Sequence, residues 1–138
     1  MKIIFICKHN VFRSRIAEEY FKKINPNKKI EVISRGIVIG GHSDREQREI
    51  PKKLLGVDID QRKPVPLNKR DLETSDLIIV VANDVPRRIF DYQSMFIQDK
   101  VIIWKIKDEQ RQNKRNINRI VLAIKKRVEK LNRRLNRK

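Results

Sequence analysis

Met1-Lys2-Ile3-Ile4-Phe5-Ile6-Cys7, followed by Lys8-His9-Asn10-Val11-Phe12-Arg13-Ser14, is the stretch on which the reading of this chain turns. The opening run is short, apolar and rich in β-branched and aromatic residues, which predicts a strand ending at the only cysteine. A polar loop follows and gives way to the helix-prone Arg15-Ile16-Ala17-Glu18-Glu19-Tyr20-Phe21. Strand, loop and helix in that order form the ground plan of a phosphate-binding turn, because the first amides of a helix are unpaired donors at the positive end of its dipole. The same field suits a nucleophilic thiolate in the loop. Arg13, six residues after Cys7, reaches back to the same anion if the loop curls, presenting a planar fork to two phosphate oxygens. Ser14 is placed to hydrogen-bond the sulfur. The competing reading is a buried structural cysteine with surface arginines nearby, and the strand before it and helix after it weigh against that.

Outward from this stretch, strands alternate with helices. The first helix is expected from about Ser14 to Lys23, with a turn at Asn25-Pro26-Asn27. Lys29 to Ser34 alternates as a second strand. Gly40-Gly41-His42-Ser43-Asp44 is a loop, and Ser43 or Asp44 caps a helix to about Leu55, with Gly56 where a helix C-cap belongs. Pro64-Val65-Pro66-Leu67 precedes a short helix over Asn68 to Glu73. Asp76 to Ala82 is a continuous apolar run, as expected of a parallel strand buried on both faces. Asn83-Asp84-Val85-Pro86 leaves it and starts a short helix to about Phe90. Lys100 to Trp104 is a fourth strand. The last helix carries Ile117, Ile120, Val121, Ile124, Val128, Leu131 and Leu135, a three-and-four spacing that makes one apolar stripe for core packing. This alternation predicts an α/β fold with right-handed crossovers and a parallel sheet covered on both faces.

The 138 residues suggest one domain spanning 1–138, long enough for a real core. No stretch approaches the roughly 20 apolar residues that span a bilayer, and the opening run is too short for a signal peptide. A single cysteine rules out an internal disulfide framework and fits a reducing compartment, so the cytoplasm is the expected location. With only His9 and His42 beside it, no metal site is expected. The net charge of +17 is uneven: Arg111 to Lys138 holds twelve Lys or Arg against Glu129 alone. Such a face can bind polyanions weakly, with strong salt dependence, but without aromatic interleaving or a nucleic-acid motif a Lys/Arg-rich proteome or solubility is the favoured account.

The loop residues resemble the low-molecular-weight protein-tyrosine-phosphatase family, whose fold is shared with one class of arsenate reductases. The family signature, C-x5-R-S directly after the first strand, is matched by Cys7, Arg13 and Ser14, and Asn10 matches a residue that braces the loop. Gly41-His42-Ser43-Asp44, the helix after it and Gly56-Val57-Asp58 extend the likeness. The resemblance implies a four-stranded parallel sheet in order 2-1-3-4 with helices on both faces. Ligands in such sheets bind at the carboxyl ends of the strands where the order reverses, which is where the loop after the first strand lies. It also implies a phosphate-binding loop of Lys8, His9, Asn10, Val11, Phe12, Arg13 and Ser14, a monomer, and no cofactor. Cys7 would attack phosphorus and form a phosphocysteine, with Arg13 and loop amides holding the oxygens.

The family acid lies in an Asp-Pro-aromatic motif after the fourth strand. Asp108 fills that position, with Glu109 a substitute if the loop shifts by one, and neither the proline nor the aromatic follows. His9 stands where the family usually has Gly, and Ser34-Arg35-Gly36 where it often has Ser-Ala-Gly, so Arg35 adds a cation near the second strand's end. The expected substrate is a phosphomonoester, phosphoprotein or small phosphate. The missing aromatic and the many cations favour a small or anionic one. The alternatives are an arsenate reductase resolved by an external thiol, and a weakly catalytic relative that binds anions or nucleic acid.

Overall fold

The computed structural model describes residues 1–107 and 113–137. Its elements run β1 (Lys2–Cys7), α1 (Arg13–Ile24), β2 (Glu31–Gly36), α2 (Arg45–Leu55), α3 (Lys69–Thr74), β3 (Leu77–Val81), a 3-10 turn (Arg87–Phe90), α4 (Met95–Gln98), β4 (Val101–Trp104) and α5 (Lys114–Leu135). The four strands are all parallel and lie in the order β2-β1-β3-β4. The predicted fold class and strand order are therefore those observed.

Alternation along the central strands divides the core into two layers. Ile3 and Phe5 of β1 and Ile79 and Val81 of β3 face α1 and α5, joined by Phe21, Ile117, Val121 and Ile124. Phe5 anchors this side, with its ring centroid 5.7 Å from that of Trp104 and 6.3 Å from that of Phe21. Ile4, Ile6, Ile78 and Val80 face the other way, against Leu72, Phe90 and Ile97. The stripe read along the last helix is the face by which α5 packs on α1 and α2. Its Ile117, Ile120, Val121, Ile124 and Val128 are buried, whereas Leu131 and Leu135 are only partly covered. Among the described residues no helix is long and apolar enough to cross a membrane.

Local signals set most boundaries. Asp44 caps α2 in a reciprocal box with Gln47, and Gly56 ends that helix in the left-handed conformation, φ 68°. Asn68 caps α3 in a second box with Asp71. The short α4 was not anticipated, because one helical turn carries too few residues to show a period. Arg35 stands near the end of β2 as expected, and its Nε donates to Asp71 at 3.0 Å and its Nη1 to the Ser34 carbonyl, so its charge is paired with α3.

Candidate active site

β1 is flanked by β2 and β3, so the chain leaving Cys7 emerges where the strand order reverses. Residues 8–12 turn back over the sheet edge and enter α1. That helix has no side-chain cap at Phe12, whereas α2, α3, α4 and α5 are capped by Asp44, Asn68, Ser94 and Asn113. Its first amides are thus kept for something other than its own side chains, as an anion site requires.

Hydrogen bonds converge on the sulfur. Cys7 is 2% exposed, its Sγ lies 3.0 Å from Ser14 Oγ, and the Asn10 amide donates to it at 3.3 Å. Ser14 Oγ accepts from Asn10 Nδ2 at 2.8 Å, which leaves the hydroxyl proton to point at the sulfur. Asn10 is the brace. Its Nδ2 also donates to Ser34 Oγ at 2.9 Å, its Oδ1 accepts from the Val65 amide at 3.0 Å, and its backbone takes φ 57°. Asparagine tolerates that left-handed conformation better than most residues. With both amide hydrogens and the carbonyl engaged, its orientation is fixed.

Beneath the brace lies a buried charge. Ser34 Oγ donates to Glu18 Oε1 at 2.6 Å, and Arg62 Nη2 donates to the same oxygen at 2.7 Å. Lys22 Nζ holds the other oxygen at 2.6 Å. Burial pushes the Glu18 carboxyl up, but hydrogen bonds from Lys22, Ser34 and Arg62 outweigh it and hold the group below the ordinary carboxylate value. Sequence reasoning did not find this network, whose members lie in α1, β2 and the loop before Pro64.

Arg13 is 4% exposed. Its Nη1 donates to the Ile106 carbonyl at 3.0 Å and its Nη2 to Asp84 Oδ1 at 2.9 Å, contacts that fix the orientation of the guanidinium in the cleft it lines with Cys7. Asp84 was also missed. The available signal was its place just past the carboxyl end of β3, the neighbour of β1. Gly36 was quoted but its part not seen: a Cβ there would stand 2.9 Å from the His9 carbonyl carbon and 3.0 Å from Asn10 N, so only glycine lets β2 end against the loop. His9 Nδ1 lies 2.8 Å from the Val38 carbonyl. Since a carbonyl only accepts, Nδ1 carries the proton, and the ring is tied to the segment after β2.

Cys7, His9, Val11, Phe12 and Arg13 line one cleft of about 390 Å³, closed on its far side by Gly40, Gly41, His42, Asp44 and Gln47. Of the other predicted loop residues, Lys8 is exposed and outside the cleft lining, and Asn10 and Ser14 act from beneath. Asp108 and its substitute Glu109 lie outside the described residues.

Residues 2–138 match the family model for low molecular weight phosphotyrosine protein phosphatase. The chain belongs to that family. No match was found among curated proteins. Among solved structures, a mutant of YwlE from Bacillus subtilis superimposes with a TM-score of 0.84 at 21% identity, covering 99% of this chain and 99% of that one. A low molecular weight protein tyrosine phosphatase from T. tengcongensis gives 0.81 at 24% identity, over 95% of this chain and 97% of its own. Wzb from Vibrio vulnificus, solved with benzylphosphonate, gives 0.81 at 23%, over 96% and 97%. At these identities the structures speak for the fold, and the family membership supplies the phosphatase class. Within this family fold, the cleft holding Cys7 and Arg13 is the candidate active site.

Proposed function

We propose that this protein is a phosphomonoester hydrolase that works through a phosphocysteine on Cys7. The observation carrying this reading is the sulfur itself: it lines the cleft, takes hydrogen bonds from the Asn10 amide and Ser14, and stands before the uncapped start of α1. In the first step the Cys7 thiolate attacks phosphorus in line, and the ester P–O bond breaks. The Arg13 charge and the amides of the loop and of α1 stabilise the equatorial oxygens. An acid, assigned to Asp108 by its place after β4, gives its proton to the departing oxygen. In the second step the same carboxylate takes a proton from water, water oxygen bonds to phosphorus, and inorganic phosphate leaves as the Cys7 thiolate returns. Ser14 stabilises the sulfur as leaving group through its hydroxyl, and Asp84 with Ile106 positions Arg13.

Hydrolysis of p-nitrophenyl phosphate by wild type and by Cys7→Ser tests the assignment, with vanadate as inhibitor. Turnover that vanadate blocks and the variant lacks is the expected result. Folded wild type without turnover from acid to neutral pH would overturn it. A panel of phosphotyrosine peptides, small phosphomonoesters and phosphoarginine peptides defines the leaving group. Phosphoarginine belongs in it because an arginine phosphatase, YwlE from Geobacillus stearothermophilus, shares the fold. A small or acidic phosphomonoester is expected to be turned over best.

A further inference from the structure

A second cleft, of about 330 Å³, adjoins the first, and Val11, Gly41 and His42 line both. Its walls carry three cationic side chains, Arg15, Arg62 and Lys63, and one carboxylate, Asp60. These charges are not equally available. Arg62 is paired with Glu18 at 2.7 Å, and Asp60 faces Arg48 at 3.9 Å. Among the described residues, no carboxylate lies within ion-pair distance of Arg15 or Lys63. Lys63 is exposed, but Arg15 is 4% exposed. Arg15 Nη1 donates to the Ile59 carbonyl at 2.6 Å and Nη2 to the Arg62 carbonyl, while its Nε is buried with no hydrogen-bond partner. Carbonyls satisfy N–H groups without neutralising a cation, and a buried guanidinium without a counter-ion is held at a cost in free energy. Burial, and after it the Arg62 charge, lowers the Arg15 pKa, against the weaker pull of Glu18, Asp60 and Glu19.

We infer that this cleft takes a second anionic group of the substrate whose phosphate lies over Cys7. The substrate class is then a phosphopeptide with an acidic side chain beside the phosphorylated residue. This deepens the phosphatase reading above and rests on it. The two clefts share the wall formed by Val11, Gly41 and His42, and side by side they offer much more room than one phosphate needs, which suits an extended peptide. The phosphate enters at Cys7 and Arg13, and the flanking carboxylate or phosphate meets Lys63 and Arg15. Asp60, the one carboxylate of the cleft, faces Arg48 at 3.9 Å, so the cations outnumber it and the groove keeps a net positive sign that favours an anionic group.

Two peptides carrying a non-hydrolysable phosphonomethyl-phenylalanine, alike except for Glu or Gln beside it, test this by calorimetry. In low salt the Glu peptide is expected to bind roughly five- to tenfold more tightly, the range of one net hydrogen bond at a partly solvated site. That ratio should fall towards one in Lys63→Gln and in Arg15→Gln. Arg15 also holds two carbonyls, so if Arg15→Gln does not fold, the exposed Lys63→Gln decides. Equal affinities in wild type, no binding of either peptide, or a preference that survives Lys63→Gln would overturn the inference. Hydrolysis of the matching phosphotyrosine peptides is read separately. Turnover without an acidic preference defeats only the second subsite, and an acidic preference without turnover defeats only the phosphatase assignment.

Discussion

Replacing Glu18 with Ala tests whether the phosphate loop rests on a buried charge network. The carboxylate is bound by Ser34, Arg62 and Lys22 at 2.6, 2.7 and 2.6 Å. Removing one partner of a fully buried pair costs about 3–5 kcal/mol because the other charge is stranded. Here the stranded cations are not fully buried: the side chains of Arg62 and Lys22 are 33% and 47% exposed, so water takes up much of their charge. What remains is the lost acceptor of Ser34 and the emptied space, for a cost of about 2–3 kcal/mol. With a urea m-value of about 1–2 kcal/mol per molar, the midpoint should fall by about 1–3 M. Glu18→Gln keeps the shape and an acceptor and should lose about half as much. The pH dependence adds a signature. The folded Glu18 lies below the ordinary carboxylate value of 4.5, so its contribution is present above that value and is lost as pH falls through the folded one. Wild type and Glu18→Ala should therefore differ most at neutral pH and converge in acid. A difference under about 0.5 kcal/mol at pH 7, within the range of ordinary surface substitutions, would refute the argument.

Gly36→Ala pushes a methyl group against the backbone of His9 and Asn10, so it should cost about 1–3 kcal/mol. It should also slow p-nitrophenyl phosphate turnover by on the order of tenfold or more through loop displacement; full activity would show that the loop is not held by this contact. Tyr20 is pushed up to about 12, by burial first and then by its hydrogen bond to Glu129. Its stabilising effect is therefore complete below pH 10.0 and fades as pH rises through about 12. Phenolate absorbance should show a late titration that Tyr20→Phe lacks. Finally, binding of duplex DNA, measured against salt, checks the basic surface of α5. Contact with phosphates predicts a log–log slope of about −0.9 per phosphate engaged, and a slope near zero would remove that surface as a polyanion site.

The parts of the fold that were legible in sequence are those written locally. The β1 run, the Asp44 cap, Gly56 and the stripe of α5 all express their structure within a few residues. So does the core of the site, since Cys7, Asn10, Arg13 and Ser14 lie within eight consecutive positions. The rest depends on which strands become neighbours. Asp84 meets Arg13 because β3 lies beside β1, a contact spanning 71 residues that no window contains. Arg15 reads as an ordinary surface arginine on a polar helix, yet the loop at Ile59 to Arg62 closes over it. Arg35 was placed near the end of the second strand, but the sequence does not show its partner: side chains alternate along a strand, and its direction sends it to Asp71 of α3.

Arg13 also reaches across 93 residues to the Ile106 carbonyl, and this separation bears on how the molecule comes into being. Cys7 and its loop leave the ribosome before the residues that shape them, Ser34, Val65, Asp84 and Ile106, which arrive one after another until all four strands have emerged. Closing such long loops makes this a late event in folding, slow relative to helix formation. A nascent or truncated chain therefore carries an unshielded thiol and an unassembled loop. During synthesis Cys7 is open to oxidation until the later strands bury it.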